Sequence, residues 1–100
     1  MTILAIDGGA SAAKWQLRTD EGVVIADGRA EPLHGHLFAA AARQTSLAIL
    51  QGIAATTRSF GTPDIVIAGI TGLDSRSQPA AWLREVICKE FAVAQHSVLV

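Results

Sequence analysis

The sequence predicts one α/β domain, a mixed sheet built in the order β-β-β-α-β-α-β with helices packed on it. Three observations carry this. Strand-like runs separated by Asp-Gly and other polar turns fill the first 31 residues. Two later segments place apolar residues three and four apart, the helical period. Beside those segments lie short, continuous apolar runs of the kind that form interior strands. A chain of 100 residues supports one core rather than two, so residues 1–100 are read as one unit.

The first run, Ile3–Asp7, ends on a carboxylate followed by Gly8 and Gly9. Asp-Gly is a strong hairpin signal, so a second strand over Ala13–Thr19 returns antiparallel to the first. After the turn Asp20-Glu21-Gly22, residues Val23–Glu31 read as a third strand, antiparallel to the second because the link is so short. Gly28 inside it suggests a bulge or kink. Pro32 to Gly35 is a break. From about His36 to Phe60 the pattern is helical, with Ala42, Ser46, Ile49, Leu50, Ile53, Thr57 and Phe60 on one face. Gly61 and Pro63 stop it. Asp64–Ala68 is a continuous apolar run expected to be buried on both faces, and it ends in Gly69-Ile70-Thr71-Gly72. A second helix opens near Pro79, capped by Ser77 or Gln78, and buries Trp82, Leu83, Val86, Ile87 and Phe91. Ser97–Val100 is a last strand. Right-handed crossovers then set the helices on the sheet.

Composition narrows the function. Half the residues are hydrophobic and the net charge is −1, which gives no basic field for gripping nucleic acid. No apolar run approaches the roughly 20 residues of a membrane span. Met1-Thr2-Ile3 enters a strand without a basic leader region, and Cys88 is the single cysteine, so no internal disulfide forms. A cytoplasmic setting is expected, with Cys88 read as a small core-side hydrophobe.

The chemistry-bearing stretch is Ile6-Asp7-Gly8-Gly9-Ala10-Ser11. Glycines let backbone approach a ligand, and successive free amides in a turn make a concave anion site. A carboxylate at the strand end can hold hydrated Mg²⁺, which binds through one or two carboxylates plus phosphates. The same residues also fit a plain tight hairpin in which Asp7 satisfies turn amides. Both readings stand on the turn alone.

That stretch, the later Ala68-Gly69-Ile70-Thr71-Gly72 and the element order together resemble the start of the ribonuclease-H-like, actin-like ATPase fold. Within it they resemble N-acetylglucosamine kinases and the BadF/BadG/BcrA/BcrD-type ATPases, which characteristically open with Asp-Gly-Gly-Gly-Thr. The resemblance runs along the whole chain, which would be the N-terminal part of such a protein. It implies ATP and Mg²⁺ as cofactors, and ATP with a sugar or amino sugar as partners. Asp7 would hold Mg²⁺ through water; Gly8, Gly9 and Ala10 would face the ATP phosphates; Ser11 would replace the family's Thr. Lys14 matches a basic residue of xylulose kinases, whereas the acetylglucosamine kinases carry theirs where Ala12 stands. Ala10 departs from the third glycine. His34 lies where these kinases often place a sugar-touching Asn, and Gly69, Thr71 and Gly72 would line the substrate cleft. The catalytic base is expected beyond Val100, so no catalytic residue is assigned in this chain and the stretch alone is expected to be inactive. An isolated half-domain is also expected to self-associate through uncovered apolar surface.

Three other readings remain. An activator ATPase of 2-hydroxyacyl-CoA dehydratases shares the fold but carries cluster-binding cysteines, which a lone helical Cys88 does not supply. A ribonuclease-H-like nuclease needs carboxylates converging near Asp7, whereas the fourth strand ends in Gly-Ile-Thr-Gly. A non-catalytic module would use an exposed sheet edge to bind a partner.

Overall fold

The computed structural model describes residues 1–100 except Ala10, His34 and Gly35, so the readings placed on Ala10 and His34 lie outside the described residues. The elements are β1 (Thr2–Gly8), β2 (Ala13–Thr19), β3 (Val24–Ala30), α1 (Ala40–Arg58), β4 (Ile65–Ile70), α2 (Gln78–Phe91), a short 3₁₀ turn (Gln95–Ser97) and β5 (Val98–Leu99). The five strands form one sheet in the order β3-β2-β1-β4-β5. β1 pairs antiparallel with β2, and β2 with β3, while β1 and β4, and β4 and β5, run parallel. This is the mixed sheet that the sequence predicts.

The topology makes the fold one-sided. β3 runs in the same direction as β4, so both helical connections join parallel strands. Each also moves the same way across the sheet, from β3 past β2 and β1 to β4, then from β4 to β5. Right-handed crossovers that advance in one direction put their helices on one face. Alternate strand residues therefore fall on two unlike faces. Leu4, Ile6, Trp15, Leu17, Val66 and Ala68 are buried under Leu50, Ile53, Leu83, Ile87 and Phe91 of the helices. The opposite face carries Ile3, Ala5 and Asp7 on β1, Lys14, Gln16 and Arg18 on β2, and Ile65, Ile67 and Gly69 on β4.

Local chemistry fixes the helices. Ser77 Oγ accepts from Ala80 N–H at 3.3 Å and Pro79 sits in the first turn of α2, as the sequence predicts. Ala39 caps α1 without a side-chain bond. Arg43 helps hold this end instead: its Nε donates to Leu37 O at 2.7 Å and its guanidinium lies 5.3 Å from the Trp82 ring centroid. One side chain thus ties the incoming loop to both helices.

Four expectations need correction. The helix begins at Ala40 rather than near His36, because Leu37 is buried at 1% exposure and its segment enters the core unwound. Phe60 lies past the end of α1 and is half exposed, so it leaves the buried stripe. Ile67 is 40% exposed; both helices of residues 1–100 lie on the other face of β4. Gly28 marks no bulge, since the register shift lies at Leu17/Arg18. A Cβ on Gly28 would meet the Trp15 indole at 2.6–2.7 Å, so a glycine is needed there to seat the ring. Gly28→Ala should lower unfolding stability by about 1–3 kcal/mol through overpacking, measured by urea denaturation followed through tryptophan fluorescence.

Candidate functional site

Because β1 and β4 are parallel neighbours, their carboxyl ends meet at one edge of the sheet. Asp7 is opposite Gly69 and Gly8 opposite Ile70, and Thr71 N–H donates to Gly8 O at 2.9 Å. Both glycine-bearing stretches therefore converge, at the strand ends where open α/β sheets bind ligands. The loop after β3 packs across the same corner. A Cβ on Gly8 would lie 2.6 Å from Ile70 Cδ1 and 3.0 Å from Leu33 Cβ, and one on Gly72 would lie 3.1 Å from His36 Nε2.

These contacts sort the turn residues. Gly8 is buried within the strand ladder, so its missing side chain makes room for Leu33 and Ile70. Gly9 N–H donates to Ala12 O at 3.1 Å and closes the hairpin. Among the described residues, the amides of Ser11 and Ala12 meet no acceptor, and Ser11 is exposed. Asp7 is exposed on the helix-free face, directly across from Lys14. The corner thus keeps a carboxylate, a hydroxyl and two amides available, while two of the four turn positions are committed to the protein or lie outside description.

The helix-free face forms an open groove of about 820 Å³, lined among others by Asp7, Lys14, Asp27, Arg29, Ile67 and Gly69. Asp27 and Arg29 escaped the sequence reading. Their signal was the alternation along the third strand, where Ala26, Gly28 and Ala30 face the helices and leave Asp27 and Arg29 on the other side. Thr71 and Gly72 are exposed at the β4 end. Asp74 and Arg76 have a structural account: Asp74 Oδ1 accepts from Arg76 N–H at 3.0 Å and Asp74 O from Ser77 Oγ at 2.6 Å, which shapes the entry to α2.

Among the described residues, no three His, Cys, Asp or Glu side chains gather around one point. The single exposed Asp7 beside open amides fits Mg²⁺ held mainly by water and ligand phosphates, not a cation caged by protein. Among the described residues, no helix is long and apolar enough to cross a membrane.

No protein-family profile and no curated protein matches the chain. Solved structures do. A PPX-GPPA enzyme of Aquifex aeolicus superposes with TM-score 0.59 at 15% identity, covering 100% of this chain and 36% of the other. A second structure of the Aquifex aeolicus Ppx/GppA family member gives 0.59 at 14%, over 100% and 34%. A Chromobacterium violaceum protein provisionally assigned as an N-acetylglucosamine kinase gives 0.57 at 21%, over 99% and 34%. The chain therefore has the fold of the N-terminal part of actin-like ATPases and spans about a third of the length of these relatives.

The glycines of this corner differ in what they tolerate. Gly69 has no atom within 4 Å of a Cβ, whereas Gly72 has φ +80°. Gly69→Ala should leave stability unchanged or raise it by up to about 1 kcal/mol, as expected for glycine in a strand. Gly72→Ala should cost about 1–2 kcal/mol for the left-handed backbone. Parallel thermal melts of the two variants check this.

Proposed function

We propose that this chain is the phosphate-binding portion of an ATP-dependent sugar kinase, in which a hydroxyl of a sugar, an amino sugar on the resemblance, attacks the γ-phosphate of ATP. One observation carries the reading: at the end of β1 the exposed Asp7 carboxylate borders an open groove, beside a turn in which the amides of Ser11 and Ala12 meet no acceptor among the described residues. Asp7 holds the hydrated Mg²⁺, which shields charge on the phosphates. Ser11 and the Ser11 and Ala12 amides donate to phosphate oxygens, and Lys14 neutralises them. Gly8 and Gly9 serve by shape, because their backbone groups are already used in the hairpin. Gly69, Thr71 and Gly72 form the neighbouring rim toward the sugar.

Support comes from the two glycine stretches lying at adjacent strand ends and from the shared fold of the kinase-assigned relative. Phosphoryl transfer is mostly positioning and charge stabilisation from both sides of a cleft. Residues 1–100 supply one wall, so on this reading they bind nucleotide without turning it over. Mg²⁺-ATP titrated into the ¹⁵N-labelled chain should shift the Ser11 and Ala12 amides, and Asp7→Asn should weaken the effect about tenfold or more. Saturating Mg²⁺-ATP that leaves both amides unmoved would refute the assignment.

A further inference from the structure

We propose that Arg43 is a positioning residue for the sugar-side rim of the corner: through Leu37 it seats His36 on the Gly72 turn. This rests on the sugar-kinase reading above and adds to it a residue that no motif marks. The contacts lie within the chain's own loops and helices, and no open surface is needed for them.

The turn comes first. Leu73 N–H donates to Ile70 O at 3.2 Å, which closes residues 70–73 as a β-turn. Gly72 takes a φ of +80° at its third position, where such turns favour glycine. A Cβ there would lie 3.1 Å from His36 Nε2 and 3.4 Å from His36 Cε1, so the imidazole rests against this glycine. His36 is itself exposed, but the next residue, Leu37, is buried. The imidazole is thus one residue away from an anchor in the core.

Arg43 holds that anchor. Its Nε donates to Leu37 O at 2.7 Å in partly buried surroundings, and its guanidinium lies 5.3 Å from the Trp82 centroid. Among the described residues, the backbone of residues 37–39 has no hydrogen-bond partner other than Arg43. The helix alone gives no reason for a cation here. Arg43 is in the first turn of α1, the end where the helix dipole disfavours positive charge, and that turn has neither an acid nor a side-chain cap. Arginine suits a different task, meeting a carbonyl and a ring at once. Its planar group donates in a fixed direction while its face stacks, which a lysine ammonium cannot match. Trp82 belongs to α2, the helix that follows the Gly72 turn. Arg43 therefore fixes the loop before α1 relative to the element after that turn, and His36 lies where the two meet.

The test uses the chain labelled with ¹⁵N and ¹³C. Wild type should show an NOE between the His36 ring and the Gly72 α-protons, and N-acetylglucosamine should shift the Thr71 and Gly72 amides. In Arg43→Gln the NOE should vanish and the sugar should bind about tenfold more weakly. Ser11 and Ala12 should still respond to Mg²⁺-ATP as in wild type, and the Leu50 and Leu83 methyl signals should keep their positions. Arg43→Lys, which can reach the carbonyl but not also stack, should recover part of both losses. An NOE that persists in Arg43→Gln overturns the seat. So does its loss together with moved Leu50 and Leu83 methyls, which would make Arg43 a support for the helix pair at large. Wild-type sugar affinity in Arg43→Gln, or a wild-type Gly72 that the sugar leaves unmoved, overturns the positioning role. Mg²⁺-ATP that leaves Ser11 and Ala12 still, while the sugar moves Gly72, keeps the role of Arg43 and removes the nucleotide.

Discussion

The handedness of two crossovers governs this molecule. A strand that twists to the right and feeds a helix packs back onto its sheet in one sense. Here the chain advances across the sheet in the same direction both times. The helices consequently share a face, and one contiguous core forms beneath them. Within residues 1–100 the other face carries no helix.

Side-chain parity then decides which chemistry reaches that face. In β1, Leu4 and Ile6 enter the core, so Asp7 must point away from it. In β2, Trp15 and Leu17 do the same, which turns Lys14 outward beside Asp7. A slip of one residue would bury the acid and the lysine together. Burial of Trp15 also constrains β3: the indole occupies the place of a Gly28 side chain, and that pinned register sets Arg29 opposite Lys14. Packing on the helix side thus arranges the charges on the other side.

The fold was largely legible because its signals are local. Asp7-Gly8-Gly9 announces a hairpin, Ser77 and Pro79 announce a helix start, and Leu83, Ile87 and Phe91 keep the helical period. What misled were signals whose meaning depends on distant partners. The run Ile65-Val66-Ile67-Ala68 has the composition of a strand covered twice, yet its exposure is set by where helices far along the chain come to rest. Gly28 looks like a bulge in sequence, because nothing local reveals that a tryptophan thirteen positions earlier needs its space. The candidate corner shows the same division. Asp7, Ser11 and Lys14 could be named from motif and resemblance, whereas Arg29 became visible only through the strand register.

On the phosphate-binding reading, the hairpin itself shifts where the anion's contacts would come from. A glycine-rich turn suggests a cradle of backbone amides, but here Gly8 belongs to the ladder and Gly9 N–H closes the turn on Ala12 O. Ser11 and Ala12 offer two amides, fewer than a phosphate with several oxygens can accept. On the phosphate-binding reading the deficit falls to side chains, and Lys14 and Arg29 stand opposite each other at this end of the sheet. Charge there acts at longer range than an amide dipole but weakens with salt. A site built this way gains reach and loses rigidity, since its grip lies in flexible side chains on a firm sheet rather than in the backbone.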